Sequence, residues 1–168
     1  MSNREVDLLV TVQEALVDKP GVIPTATTLS HFGEHALGWF ALSGAGAALD
    51  ARRRRQWLAL GASAFVSHAA SVVIKRIVRR TRPHDPRIRV GVGTPSRLSF
   101  PSSHATSTTA ALVSLSDLTG SKAPLLGVPV MMISRMVLGV HYPTDTLAGA
   151  VLGATTAKVI TAIERKSA

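Results

Sequence analysis

Eight residues in three short strings could do chemistry together. Lys75 precedes Arg82-Pro83 by seven residues, Pro101-Ser102-Ser103-His104 follows a polar stretch, and Ser134-Arg135 leads at fixed spacing to His141 and Asp145. The inventory is three cations, two histidines, a carboxylate and two small hydroxyl residues. It suits holding a phosphate and passing it to a histidine. Arginine offers a planar fork that matches phosphate oxygens, and lysine a compact point charge.

Each string has a plainer explanation when taken alone. A lysine and an arginine two helical turns apart share a face if the helix persists, and such a pair is commonly a solvated surface. Arg76, Arg79 and Arg80 lie between them and read as that surface or as contacts to lipid headgroups. Ser102 and Ser103 could simply cap a helix, yet the free N–H groups at a helix start also seat phosphate. His104 beside such a seat can protonate a departing alkoxide. Arg135 lies in an otherwise uncharged stretch, where an unpaired cation is costly and so usually has a task. His141 and Asp145 are four apart with Pro143 between them. That spacing lets the carboxylate fix one ring nitrogen and leave the other as nucleophile. The remaining histidines lack such company. His31 and His35 form a weaker polar cluster with Glu34, and a zinc site there lacks a convincing ligand set.

The elements that must position these residues are apolar. Gln56–Ile74 carries no formal charge over 19 residues, enough to span a bilayer core. Ala36–Leu49, Ala123–Val140 and Thr146–Ile163 are weaker stretches of the same kind, and several near-spanning segments between charged turns read as a membrane protein. A soluble helical bundle with an alanine-rich core is the bland alternative. The chain of 168 residues fits one domain, covering 1–168, and cysteine is absent, which excludes disulfides and thiolate metal sites. The formal net charge of +9 suggests nucleic acid or an anionic membrane surface, but aromatic residues are only 4 % of the chain, too few for base stacking. No nucleic-acid partner is expected, and the +9 is assigned to membrane lipids and a phosphorylated substrate. Met1–Asp18 carries acidic residues and no small-residue cleavage site, so no signal peptide is expected.

The expected architecture is all-α: an antiparallel transmembrane bundle of five or six helices preceded by an N-terminal amphipathic helix within Arg4–Val17. Helices are expected over Leu29–Leu49, Gln56–Arg79, Pro101–Gly120 with Ser99 as cap, Pro124–Gly139 and Pro143–Glu164. His84–Arg97 is expected as a surface loop, and Gly149-x3-Gly153 as a close helix contact. Helix counting places the three strings at one end of the bundle and Arg52–Arg55 at the other, with basic residues at both ends leaving the orientation open.

Taken together and in this order, the strings resemble the type-2 phosphatidic acid phosphatase superfamily, whose pattern is K-x6-RP, PSGH and SR-x5-H-x3-D. The first and third match in full, and the second departs at Ser103, where the family usually has glycine. The resemblance implies a two-step, metal-independent phosphatase without a cofactor. His141 is the nucleophile, oriented by Asp145, and His104 is the general acid and then base. Lys75, Arg82, Ser102, Ser103 and Arg135 hold the phosphoryl oxygens. It also implies vanadate inhibition and a multi-pass protein of the plasma membrane acting on a lipid-linked phosphate. The small size, the PSSH variant and the Arg52–Arg55 turn are similar to actinobacterial phosphatases of decaprenylphosphoryl-5-phosphoribose in cell-wall arabinan synthesis. Undecaprenyl diphosphate, phosphatidic acid and phosphatidylglycerophosphate stay open as substrates. So do a vanadium haloperoxidase and a basic, non-enzymatic lipid-binding protein.

Overall fold

The computed structural model describes residues 3–167. The α-helices are α1 (Asn3–Leu16), α2 (Val22–Gly33), α3 (Leu37–Leu49), α4 (Arg54–Val78), α5 (Ser103–Thr119), α6 (Gly127–Val137) and α7 (Pro143–Lys166). Short 3-10 turns lie at Glu34–Ala36, Ala51–Arg53 and Ala123–Leu126. Among the described residues there is no strand, only an isolated antiparallel bridge between Thr81 and Leu98.

The helix expected over Leu29–Leu49 is two helices. The chain breaks at His35 and Ala36, which hold left-handed φ values of 49° and 60°. Such values are costly for residues with a Cβ and persist only where the surroundings impose them. Two other limits also moved. α4 stops at Val78 with Arg79 in the left-handed conformation, so Arg82 reaches the site on a loop and not along a helix face. Ser102 caps α5 in place of Ser99, because its side chain accepts from the Ala105 N–H.

Small residues make α5 the centre of the bundle. Its face from Ala105 to Ala111 is buried throughout, and it packs on α4, α6 and α7. The α5–α7 approach is backbone on backbone. A Cβ at Gly153 would lie 2.2 Å from the Thr106 carbonyl oxygen, and one at Gly149 would lie 2.7 Å from that of Ser102. The expected glycine contact is therefore a real one.

Buried hydroxyl residues share the interior with the hydrophobic core, and large apolar side chains cover the outside of the long helices. Ser63, Ser67, Ser71, Thr106, Ser107 and Ser114 are buried, while Phe65, Val73 and Ile77 of α4 and Leu147, Val151, Val159 and Ile163 of α7 face outward. Contiguous outward apolar faces of this kind belong against lipid. Residues 51–78 and 143–166 are long and apolar enough to cross a bilayer. Arg55 meets Glu164 at one end of α4, and Lys75 lies 20 residues on, about 30 Å away along the helix.

Candidate active site

The loop between α6 and α7 carries His141 and depends on Gly139, which closes α6 with φ 69°. No side chain fits there, since a Cβ would lie 2.3 Å from the Arg89 carbonyl oxygen. His141 is buried between two neighbours of opposite character. On one side Arg82 Nη1 lies 3.1 Å from its Nε2, and on the other Asp145 Oδ2 lies 3.5 Å from its Nδ1. Arginine only donates, so Nε2 carries the lone pair, which here accepts from Arg82, and Nδ1 bears the proton that faces Asp145. Burial, and then the charges of Arg82, Arg135 and Lys75, push the His141 imidazolium well below its ordinary pKa. The ring is neutral and its Nε2 is available to attack.

Asp145 is fully buried and its acceptors are filled. Oδ2 accepts from the Tyr142 N–H at 2.8 Å, and Oδ1 accepts from Arg80 Nη1 at 2.9 Å. Arg80 is therefore not the plain surface charge expected from sequence. Its other nitrogen donates to Glu5 Oε2 at 2.6 Å, its guanidinium stacks 4.2 Å from the Tyr142 ring centroid, and Glu5 also accepts from the Thr144 hydroxyl. α1 is thus tied to the carboxylate beside the candidate nucleophile.

The three cations reach the site from three elements. Lys75, near the end of α4, donates to the carbonyls of Ser99 and Pro101, which leaves one of its three donors. Arg82 is fixed by the carbonyls of Ser96 and Val140, both at 2.8 Å, and burial lowers its pKa to about 10. Arg135 on α6 is 1 % exposed, yet its Nε and Nη1 have no protein acceptor. A buried guanidinium with unmet donors is arranged for an anion that arrives from outside the chain.

At the start of α5 the serines divide. Ser102 is fully buried and serves as the cap, its N–H donating to the Asp145 carbonyl at 2.9 Å, and it does not reach the cavity. Ser103 does line the cavity, and its hydroxyl lies 2.8 Å from that of Ser71 on α4. The side chain that replaces the family glycine is therefore held by a neighbouring helix. His104 is anchored through Nε2, 2.9 Å from the Ser30 carbonyl, which leaves Nδ1 for chemistry. The ring needs Gly33 beneath it, where a Cβ would lie 2.7 Å from His104 Cδ2.

Lys75, Arg82, Ser103, His104, Arg135 and His141 all line one cavity of about 610 Å³, and Asp145 stands behind His141. The stretch His84–Arg97, expected as a surface loop, forms one wall of the cavity through Val92, Thr94 and Ser96, within a longer connection from α4 to α5. That connection is pinned by Ser99 N–H to the Arg80 carbonyl, Arg82 N–H to the Arg97 carbonyl and Gly91 N–H to the Leu138 carbonyl. Sequence reasoning missed Ser30, Glu5 and Gln13. Ser30 acts through its backbone, and Glu5 and Gln13 act across more than 70 residues, so neither spacing nor composition signals them. Among the described residues no three metal-ligating side chains are placed to hold a metal ion.

The arrangement can bind a phosphoryl group between cations, attack it through an imidazole and protonate a leaving oxygen. Known proteins similar to this chain are named phosphatases. The chain is 63 % identical over 142 residues to the decaprenylphosphoryl-5-phosphoribose phosphatase of Mycolicibacterium smegmatis, covering 84 % of this chain and 79 % of that one. It is 55 % identical over 159 residues to the Mycobacterium tuberculosis protein of the same name, covering 95 % and 90 %. Two solved structures share the fold. The transmembrane PAP2 type phosphatidylglycerolphosphate phosphatase of Bacillus subtilis superposes with a TM-score of 0.74 at 23 % identity, over 98 % of this chain and 88 % of that one. Aquifex aeolicus LpxE superposes with a TM-score of 0.75 at 17 % identity, over 93 % of each chain. The sequence pattern of the PAP2 superfamily matches residues 56–168, and the chain is a lipid phosphatase belonging to that superfamily.

Proposed function

We propose that this chain hydrolyses decaprenylphosphoryl-5-phosphoribose to decaprenylphosphoryl ribose and phosphate, in the supply of cell-wall arabinan precursors. The high identity to two phosphatases of that name supports the substrate. The observation that carries the chemistry is Arg135, buried with two unmet donors in the cavity that also holds His141 Nε2 and Arg82.

His141 Nε2 attacks phosphorus, the bond from phosphorus to the ribose 5-oxygen breaks, and His104, which keeps Nε2–H on the Ser30 carbonyl and takes a second proton on Nδ1 when the anionic phosphate is bound, gives that oxygen the Nδ1 proton. Asp145 faces Nδ1–H of His141 and stabilises the positive charge that the ring acquires on forming phosphohistidine. His104 then takes a proton from water as the water oxygen attacks phosphorus, the P–N bond breaks, and phosphate leaves. Lys75, Arg82, Arg135 and the Ser103 side of the α5 start hold the equatorial oxygens, with Ser102 fixing that helix start. These basic groups supply the charge that a metal ion would otherwise provide, so turnover is expected to be insensitive to chelators.

In the same reading residues 1–168 form a single phosphatase domain of the plasma membrane, with several helices crossing the bilayer and α1 amphipathic at the interface. The test is phosphate release across lipid phosphates, with trapping of the phosphoenzyme. The wild type should prefer the phosphoribosyl lipid over phosphatidic acid, phosphatidylglycerophosphate and undecaprenyl diphosphate. His141→Ala should bind lipid but neither turn over nor become labelled. Activity confined to a glycerophospholipid would sink the substrate assignment, and normal turnover by His141→Ala would sink the mechanism.

A further inference from the structure

The cavity is chemically divided. Its phosphate end is cationic, whereas beyond His104 it is lined by His31, Glu34 and His35 from the break between α2 and α3, and by His68 of α4. No part of the phosphoryl-transfer scheme uses these four residues.

In-line displacement sets which end receives what. The leaving oxygen stands opposite His141 Nε2 and receives its proton from His104, so the leaving group extends past His104. His104 is fastened to the Ser30 carbonyl, so the wall next to it is the end of α2 and the turn that follows. That wall is polar where an alkyl leaving group would need an apolar one. His68 is the most telling residue. It stands inside the uncharged run Gln56–Ile74 and its Nδ1 is buried without a partner. A polar group left unmet inside a spanning helix is costly unless a ligand completes it. His35 faces it with ring centroids 6.1 Å apart, held there by the left-handed His35–Ala36 backbone.

We propose that this end of the cavity is a subsite for the hydroxyls of a sugar leaving group, with His68 and Glu34 as its recognition residues and His31 and His35 completing its wall. The inference rests on the function proposed above and adds the residues that select the sugar. Imidazoles that can donate or accept, together with a carboxylate, match vicinal hydroxyls, for which acidic side chains are habitual partners. Glu34 is the only carboxylate on the described cavity wall, placed to accept from a sugar hydroxyl.

The experiment compares kcat/KM for the phosphoribosyl lipid with that for a long-chain alkyl monophosphate in the same detergent. His68→Leu and Glu34→Gln should each lower the first by about tenfold or more, the usual effect of an unpaired polar contact, and leave the second within about twofold. His68→Asn, which restores an amide donor and acceptor, should recover part of the loss. Equal losses on both substrates, or none on either, overturn the subsite while the proposed function stands. A wild type that hydrolyses the alkyl phosphate but not the phosphoribosyl lipid overturns the substrate assignment and the subsite together.

Discussion

Asp145→Asn tests the centre of the mechanism with little disturbance of packing. The asparagine side-chain oxygen can still accept the Tyr142 N–H that Oδ2 now holds at 2.8 Å, so the start of α7 keeps its cap. What disappears is the negative charge 3.5 Å from His141 Nδ1. When Nε2 bonds to phosphorus the ring becomes cationic. Two unit charges at that distance attract by about 5 kcal/mol at an effective dielectric of ~20. Arg80 already takes up part of the carboxylate's field through Oδ1, so about 3 to 4 kcal/mol is the share available to His141, or about 2 to 3 decades of rate. The expected result is a kcat about 10² to 10³ below wild type, a KM within about threefold, and slower phosphoenzyme labelling in a single turnover. The thermal midpoint in detergent should fall, because the amide nitrogen replaces Oδ1 opposite Arg80 Nη1 and sets donor against donor, leaving Glu5 as the carboxylate paired with Arg80. A variant that keeps kcat within about threefold would refute the claim that Asp145 stabilises the charged ring, and a large rise in KM alone would point to substrate binding.

Four further outcomes are expected. Arg135→Ala removes two unmet donors from the phosphate end, so kcat/KM should fall by about 10² to 10⁴. Arg135→Lys keeps charge without the fork and should raise the vanadate inhibition constant at least about tenfold, both read by initial rates. Gly153→Ala forces the α5 and α7 backbones apart and should cost about 1 to 3 kcal/mol, seen as a lowered thermal midpoint with a parallel loss of activity. Partial burial pushes the Glu5 carboxyl up, but hydrogen bonds from Thr144 and Arg80 outweigh it and hold the pKa below the ordinary value. Glu5 thus stabilises fully above about pH 4.3 and loses its contribution as pH falls through the lower folded value. The difference in thermal midpoint between wild type and Glu5→Gln, worth up to about 1 kcal/mol at pH 7, should shrink below about pH 4.

The legible part of this protein was the part written in local spacing. Arg135, His141 and Asp145 are brought together by one helix end and one turn, so the string itself encodes their meeting. Lys75 and Arg82 were legible as residue types but not as geometry, since α4 ends at Val78 and the loop supplies the second cation. The break at His35–Ala36 was hidden because a left-handed backbone is uncommon for any residue with a Cβ, and neither spacing nor composition marks it there. Ser102 read as a phosphate contact because a helix start serves caps and anions with the same residue types. The structure separates the two serines by burial.

The superfamily pattern begins at residue 56, yet the site is not closed by residues 56–168 alone. The Ser30 carbonyl holds His104, and Glu5 shares Arg80 with Asp145. Gln13 accepts from the Arg89 N–H and donates to the carbonyls of Arg89 and Val137, which joins the wall loop to the end of α6 just before His141. Each contact acts on the orientation of a group that must move a proton or attack phosphorus, where small displacements are expensive. On the proposed scheme, nucleophile, acid and cations lie within residues 56–168, while α1 and α2 hold them in place and supply the wall of the proposed leaving-group subsite. In this chain the scheme leaves the chemistry with the later helices and gives the choice of leaving group to the segment ahead of them, a division that the His68→Leu and Glu34→Gln comparison tests.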